Sequence, residues 1–442
     1  MCDQVVVTWK NAGFDITMIG QKNCQLIAKR GFHEPTDVLI DGTEYIFVVS
    51  QSNQQIQVSL KCFKCVKSTL DCTNTPECDL NCCSNNESLI AERAVKRIAM
   101  EYGTEGSEAV LENKKARDWA RILSEYRHPC KYRSSFEIAA TVVPFVAIWA
   151  LAWWVLAYST ILAVLLACIN SLFLVRLFCI QHDCGHGTLF KKKSINDWIG
   201  RILGAFTLTP YEVWRRAHSI HHGASGNLTK RGIGDIDTLT VTEYQNLSRF
   251  GRLKYRLYRH PITLFIIGPA YLFFLQNRLP IGYMKNTSFW ISAMATNLGI
   301  LASVAVVYYF GGLAPVLFIF LPTTFFAAMI GVWLFYVQHQ FEYTYWEENA
   351  DWDLHDAALH GSSHYVLPSF FQWMTANIGI HHIHHLSSRI PFYRLTKAIK
   401  DHPSLAEMNI LTVKESFVQA NLHLWDEENK CLVPFSKVAS AT

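Results

Sequence analysis

The chain has 442 residues, of which 50% are hydrophobic and only 17% are charged, against about a quarter charged in ordinary soluble domains. Two runs of 38 and 56 residues, 138–175 and 286–341, contain no Asp, Glu, Lys or Arg. One bilayer crossing takes about 20 apolar residues, so a purely soluble protein is excluded. The 13% of aromatic residues excludes a disordered chain. The net charge of +4 is too small to indicate a nucleic-acid partner.

Residues 1–115 are polar and Cys-rich, and we expect a small α/β appendage of unknown role. Apolar segments on either side of Asp41-Gly42-Thr43 predict a β-hairpin, and residues 87–126 are rich in helix-forming side chains. The spacing of Cys62, Cys65, Cys78 and Cys82 could hold a structural zinc, although the second pair lacks C-x-x-C spacing. An iron–sulfur site fits less well, because neither common ferredoxin spacing is present. Reduced thiols without a metal are the simplest interpretation.

Each uncharged run is broken near its middle by turn-forming residues, Tyr158-Ser159-Thr160 and Phe310-Gly311-Gly312. We therefore predict an all-α integral membrane protein with two helical hairpins. The four predicted transmembrane helices cover residues 136–157, 160–180, 289–309 and 313–337. A further apolar stretch, 262–275, is short and contains Pro269, so we expect an interfacial or re-entrant position.

We assign residues 116–400 to the membrane domain and 401–442 to a cytoplasmic C-terminal tail. Between Gln181 and Pro261 there are 13 Lys or Arg against 6 Asp or Glu, whereas the two hairpin tips carry no charge. The positive-inside rule places this loop in the cytoplasm. Both termini, and any site built from segments outside the helices, then lie on the cytoplasmic side.

Three short motifs, HDCGH, HSIHH and HHIHH, contain nine of the 18 histidines, and eight of these nine, all except His382, fit the helical spacing i, i+4 or i, i+3, i+4. Positions i, i+3 and i+4 of a helix share one face, so each motif offers a cluster of imidazoles. The predicted topology brings all three motifs to one face of the membrane. These histidines are His182, His186, His218, His221, His222, His381, His384 and His385.

Eight imidazoles exceed the four ligands of a tetrahedral zinc and suit two metal ions with open coordination positions. Nitrogen ligands favour iron, while zinc, copper and manganese stay open. The alternative is a polar histidine network without metal, which we disfavour because unpaired buried imidazoles are costly. His339, at the end of the fourth predicted helix, is a candidate ninth ligand, with packing at the interface as the alternative.

Other polar residues close to these motifs could orient the histidine rings. For the acidic ones the alternative is a solvated surface, and His382 could have no role. His360 and His364 form a weaker metal-binding pair, because Gly361-Ser362-Ser363 lies between them. The candidates for orienting the rings are Asp183, Asp235, Asp237, Asp353, Asp356 and His382.

The segments HDCGHGTLF, WRRAHSIHH and NIGIHHIHHLSSRIPFYRL resemble the three histidine boxes of membrane fatty acid desaturases, most of all the bacterial acyl-lipid omega-6 (delta-12) type. The resemblance covers about Arg176 to Leu395 and leaves residues 1–115 outside it. It implies four transmembrane helices under a cytoplasmic helical cap, in a bacterial inner membrane. It also implies two iron ions held by the box histidines, with a further histidine after the fourth helix, and oxygen-dependent formation of a cis double bond.

Removal of hydrogen from an unactivated methylene needs a redox metal, oxygen and two electrons from outside. The chain has no haem-binding HPGG segment, so we expect a separate electron donor, a ferredoxin or a cytochrome b5-like protein, and an acyl-lipid or fatty acyl substrate in the membrane. A related alkane or lipid hydroxylase is the alternative enzyme. A metal transporter or sensor is the non-enzyme alternative, but the predicted helices contain few polar residues beyond Asn170, Arg176 and Asn297.

Overall fold

The structure is a computed structural model, and it describes residues 115–232 and 234–439 together with the backbone of five strands nearer the N-terminus. The chain divides into two units, Met1–Asn113 and Lys114–Thr442.

In the N-terminal unit, β1 pairs antiparallel with β2, and β3, β4 and β5 form an antiparallel sheet in that order. The strands are β1 (Gln4–Lys10), β2 (Gly13–Ile19), β3 (Thr36–Ile40), β4 (Thr43–Ser52) and β5 (Gln55–Cys62). Ile40 of β3 lies opposite Thr43 of β4, so these strands flank the position of the predicted hairpin. Cys65, Cys78 and Cys82 lie outside the described residues, as does the side chain of Cys62. The zinc site therefore stays a prediction.

Four helices of the second unit are long and apolar enough to cross a membrane, namely α2, α3, α8 and α9. In chain order the helices are α1 (Ala116–Ile122), α2 (Lys131–Leu156), α3 (Thr160–His186), α4 (Lys193–Phe206), α5 (Tyr211–Ala224), α6 (Val241–Asn246), α7 (Arg249–Arg259), α8 (Thr287–Gly311), α9 (Leu313–His339), α10 (Leu354–His360), α11 (Ser369–Met374), α12 (His381–Leu386), α13 (Phe392–Asp401), α14 (Pro403–Ala406), α15 (Val413–Gln419) and α16 (Phe435–Ala439).

The long helices break at the two predicted turns but extend further than predicted at their other ends. Ser159 caps α3 by accepting a hydrogen bond from the N–H of Leu162, and Gly312 separates α8 from α9 with a φ of +67°. At its other end, α3 continues six residues beyond the predicted end at Ile180. It ends where Gly187 adopts a left-handed φ of +70°, which glycine tolerates without strain. The first histidine motif is therefore the last part of α3.

The short apolar stretch between α7 and α8 is helical with wide turns. Two π-helical turns, Thr263–Ile267 and Tyr271–Leu275, flank Gly268–Ala270. Pro269 lacks a backbone N–H and cannot continue the regular hydrogen-bond pattern, which accounts for the local widening. This stretch is not among the four helices that could cross a membrane. Its position in the interface stays a prediction.

Residues 401–439, predicted as a tail, fold within the second unit. Two small sheets attach them to earlier segments, because β6 pairs with β9 and β7 pairs with β8, both in parallel. Leu424, Trp425 and Leu432 of this segment are fully buried and cluster with buried residues of earlier segments, including Tyr244 and Trp346. The strands are β6 (Leu239–Thr240), β7 (His364–Val366), β8 (Ile410–Thr412), β9 (Leu424–Asp426) and β10 (Cys431–Val433).

A buried ion pair joins α2 and α3. The guanidinium of Arg176 contacts the carboxylate of Glu137, and each side chain is only 1% exposed. Arg176 also donates from Nε to the hydroxyl of Thr141 over 3.0 Å and lies 4.0 Å from the ring centre of Trp373. The pair therefore fixes the position of α3 relative to α2 at a point six residues before His182.

A second buried arginine holds the end of α9 without any carboxylate contact recorded in the described part of the chain. Arg259 donates to the side-chain oxygen of Gln340 and to the carbonyl of Leu422, each over 2.9 Å, and to the hydroxyl of Tyr336 over 3.4 Å. These bonds join α7 to the C-terminal segment and to the end of α9, close to His339 in the sequence.

Replacing Glu137 by Gln should lower the thermal unfolding temperature of the detergent-solubilised protein by about 5 °C or more. The substitution leaves Arg176 buried without a counter-charge, and breaking a buried ion pair costs about 3–5 kcal/mol. The matched control is Asp118→Asn, which removes the exposed pair Asp118–Arg121 and should change the unfolding temperature by about 1 °C or less. Equal unfolding temperatures for the two variants would show that the buried pair does not hold the helices together.

Candidate metal centre

Nine histidines meet where α3 and α9 end. They come from α3, α5, α9 and α12, and they are the eight box histidines together with His339. Within each of two clusters, one ring nitrogen from every member lies within 4.8 Å of the others. The first cluster is His182, His186, His218, His222 and His384, and the second cluster is His221, His339, His381 and His385.

The two HxxHH motifs are each divided between the clusters. On α5, His218 and His222 belong to the first cluster while His221 belongs to the second. On α12, the pair at i and i+4 belongs to the second cluster, and the residue at i+3, His384, belongs to the first. The sequence predicts a single imidazole face for each motif. In the structure, the histidines at i and i+4 of each motif lie in one cluster and the histidine at i+3 lies in the other.

In the second cluster, the hydrogen bonds of the Nδ1 atoms, which face away from the other rings, determine that the Nε2 atoms present lone pairs to those rings. His221 donates its Nδ1–H to the carboxylate of Asp235, and His339 donates its Nδ1–H to the carbonyl of Gly361 over 3.1 Å. In a neutral ring with this tautomer, Nε2 is an acceptor only. The Nε2 atoms of His221 and His339 lie 3.1 Å apart, and Nε2 of His381 lies 3.0 Å from that of His339. Lone pairs at this distance repel each other unless a cation binds both.

The first cluster has the same close spacing of ring nitrogens. The Nε2–Nε2 distances are 3.0 Å from His186 to His218, 3.1 Å from His218 to His222, and 3.2 Å from His222 to His384. Both ring nitrogens of His182 are buried without a hydrogen-bond partner. An orphaned buried imidazole is costly in free energy, so this ring fits a ligand better than a packing residue.

These distances fit metal coordination. A metal–imidazole bond is about 2.0–2.1 Å long, so two nitrogens at right angles around one ion lie about 3.0 Å apart. The recorded separations of 3.0–3.2 Å agree with that geometry. Five nitrogens in one cluster and four in the other leave open positions on ions that take six ligands. Iron, zinc, copper and manganese are all compatible with the donor atoms.

Burial favours the neutral, metal-binding form of five box histidines outside the long helices. Desolvation lowers the pKa of these five well below the usual range, and the neighbouring imidazoles lower it further. A neutral imidazole is the form that binds a metal ion. The histidines outside the long helices for which the pKa falls in this way are His218, His222, His381, His384 and His385.

Two of the four ring-orienting candidates Asp183, Asp235, Asp237 and His382 contact or border a cluster histidine. Asp235 accepts from His221, and a carboxylate oxygen of Asp183 lies 3.5 Å from Nδ1 of His182. The other oxygen of Asp183 accepts from the N–H of Phe392, the first residue of α13.

The other two do not reach a cluster. Asp237 is exposed, and no contact recorded in the described residues joins its carboxylate to a box histidine. His382 turns away, donates to the carbonyl of Leu405 over 2.8 Å, and has its pKa lowered to about 3 by burial and by His364.

The remaining predicted candidates lie outside both clusters. Asp353 caps α10 by accepting from the N–H groups of His355 and Asp356. His364 donates to the carbonyl of Ala406 over 2.8 Å. His360 is the last residue of α10, so the pair His360 and His364 does not join the nine clustered rings.

Two aromatic rings that the sequence analysis missed pack on cluster histidines. Trp214 stacks on His218 with 4.7 Å between ring centres, and Phe335 lies 5.5 Å from His339. Each aromatic residue stands four positions before the histidine on the same helix, a spacing that could have revealed it. A Cβ atom at Gly185 would lie 2.7 Å from the Trp214 ring, so only glycine lets α3 approach this closely.

Comparisons with known proteins agree with this geometry. The family model described as "Fatty acid desaturase" matches residues 159–416. A fatty acid desaturase of Bacillus subtilis is 40% identical over 324 residues, which are 73% of this chain and 92% of that protein. An sn-1 oleoyl-lipid 12-desaturase of Synechocystis is 26% identical over 72% of this chain and 86% of its own length. A second Synechocystis protein, an sn-1 acyl-lipid omega-3 desaturase (ferredoxin), is 30% identical over 52% of this chain and 65% of its own length.

The match to the family model covers more than half of the chain and includes every box histidine. The Bacillus relative adds high identity over nearly its whole length. Together with the four apolar helices and the histidine clusters, these findings show that the chain belongs to the membrane fatty acid desaturase family and is an oxidoreductase.

Proposed function

We propose that this protein is an acyl-lipid desaturase that inserts a cis double bond at the delta-12 (omega-6) position, using two iron ions held by the nine clustered histidines. The observation that carries the proposal is the convergence of neutral imidazole nitrogens, 3.0–3.2 Å apart, where the apolar helices end. An acyl chain lying in the bilayer can reach such a site without crossing water. The relative named as an oleoyl-lipid 12-desaturase supports the bond position.

The reaction requires an oxidant and a reductant. Two C–H bonds of adjacent methylenes break and a C=C bond forms between the two carbons. The two hydrogens removed, one O2, two further protons and two external electrons together give two water molecules. Iron supplies the one-electron and oxygen chemistry that no side chain provides. The protein fixes the ligands: Asp235 and the carbonyl of Gly361 hold the rings of His221 and His339 with Nε2 toward the cluster. Trp214 and Phe335 cover ligand rings and help to exclude water.

The distribution of charge supports a cytoplasmic position for the site and for both termini. A separate electron donor then reaches the site from the cytoplasm. The relative named with ferredoxin makes a ferredoxin the favoured donor, and a cytochrome b5-like protein is the alternative.

The polar residues within the apolar helices argue against a metal transporter. The side-chain amide of Asn170 donates to the carbonyl of Phe145, and Asn297 accepts from Arg278 over 2.8 Å. Arg176 is paired with Glu137. These residues join helices to one another rather than marking a path for ions. A His-box hydroxylase shares the same metal chemistry and is separated from a desaturase by its product.

Expression in a host that lacks polyunsaturated lipids should yield a new diunsaturated acyl chain with its second double bond at the delta-12 position. Mass spectrometry of the fatty acids distinguishes the outcomes, because desaturation removes two hydrogens and hydroxylation adds one oxygen. Double-bond location by chemical derivatisation tests the position. A hydroxylated product would establish the alternative enzyme.

Replacing His339 by Ala should keep protein abundance but lower both bound iron and desaturation by about tenfold or more, because the second cluster loses the ring next to His221 and His381. Iron per protein is measured after purification, alongside product formation. The matched control is His260→Ala, an exposed histidine outside both clusters, which should retain iron and activity. Normal iron content in the His339 variant would return that residue to a packing role.

A reporter inserted between Gly311 and Gly312 should be found outside the cytoplasm. This turn joins two apolar helices and carries no charge, whereas the basic segment 181–261 lies at the other ends of the helices. A second reporter after Ala439 should be cytoplasmic. Two reporters on the same side would contradict the proposed orientation.

A further inference from the structure

A groove of about 380 Å³ opens beside the two clusters, and its lining includes one histidine from each. We propose that this groove is the docking site of an acidic one-electron carrier protein of the ferredoxin class, which the proposed desaturase function requires. The histidines are His222 of the first cluster and His385 of the second, and Arg127 and Arg389 also line the groove.

The two histidines connect the groove to both clusters. Their rings stack with 4.0 Å between centres and 14° between planes. His222 is half-buried and reaches the groove, while its Nε2 lies 3.1 Å from that of His218 and 3.2 Å from that of His384. A carrier seated in the groove would therefore deliver each electron next to rings that belong to both clusters.

The two arginines give the groove a positive charge that the described residues leave unpaired. Arg127 donates from Nε to the hydroxyl of Ser387 over 2.9 Å, and no carboxylate is recorded in contact with it or with the exposed Arg389. Burial and the guanidinium of Arg389 both lower the pKa of Arg127, which shows that the two cations repel each other. Like charges held together without counter-ions attract a partner that supplies carboxylates.

The acidic residue that precedes the helix beside the groove caps that helix. Leu354 and His355 of α10 also line the groove, and α10 begins at the capping residue Asp353. A carboxylate oxygen of Asp353 accepts from the N–H groups of His355 and Asp356 and is used to start the helix. No contact recorded in the described residues joins this carboxylate to either arginine.

A protein carrier fits this surface better than a small reductant. Desaturation needs two external electrons for each double bond, so a one-electron carrier must dock twice for each turnover. Complementary charge raises the rate of repeated encounters and orients the partner, which a shallow open groove with two cations at its side can do. The relative named with ferredoxin uses a carrier of this class.

The test is the double variant Arg127→Glu/Arg389→Glu, assayed with a reduced acidic [2Fe–2S] ferredoxin at increasing concentrations. The KM for ferredoxin should rise about tenfold or more, while kcat changes much less, because reversed charges weaken encounter rather than chemistry. Added salt should raise the KM of the wild-type protein steeply and that of the variant weakly. The single variant Arg389→Gln changes an exposed residue and should give a smaller rise in the KM for ferredoxin. It tests the groove with a variant that is expected to fold even if the double variant misfolds.

The matched control is Arg249→Glu/Lys254→Glu on α7, which makes the same change in charge at exposed residues that do not line the groove. It should leave the KM for ferredoxin unchanged. An equal rise in both double variants would show that overall charge, and not this groove, attracts the donor.

A further arm separates this proposal from the proposed function. Wild-type protein supplied with dithionite-reduced methyl viologen, a small electron donor, should still desaturate its substrate. Failure of that reaction overturns the proposed function. Success of that reaction, with an unchanged ferredoxin KM in the arginine variants, overturns the docking site alone.

Discussion

The fold depends on the need to balance nine clustered imidazoles, six of them buried and three half-buried, whose ring nitrogens lie close to one another. The lone pairs of His221 and His339 face each other at 3.1 Å because each outer nitrogen already donates to an oxygen. Such an arrangement is unfavourable unless a cation binds between the rings. A metal ion bound there would therefore be part of the packing of this region, and the surrounding helices place the histidines that could hold it.

The ligands come from segments that lie far apart in the chain, and buried polar contacts set their relative positions. Arg176 and Glu137 fix α3 against α2, so that the end of α3 carries His182 and His186 into the first cluster. Arg259 fixes the end of α9 through Gln340, the residue after His339. The carboxylate of Asp183 accepts from the first N–H of α13 and so connects the first box to the segment that follows α12. Charged or polar side chains thus anchor the first box, the end of α9 and the segment that follows the third box.

Much of this arrangement could be predicted from the sequence, because it depends on local patterns. The uncharged runs and their turns predicted the four helices, and the spacing of the histidines predicted that the rings of each motif share one helical face. The division of each HxxHH motif was not predictable, because it depends on where neighbouring helices place their own histidines. The groove pairs Arg127 with Arg389, which are far apart in sequence and share no motif. The exposed position of Asp237 and the burial of residues 401–439 also depend on tertiary contacts.

The division of the HxxHH motifs has a consequence for assembly. Because α5 and α12 each supply ligands to both clusters, neither helix can rotate or slide without disturbing both sites. An ion bound in one cluster holds two helices in the register that the other cluster needs. If both clusters hold an ion, binding of one ion would therefore favour binding of the other. The same coupling sets the spacing between the two clusters by the rigid rise of a helical turn and not by flexible loops.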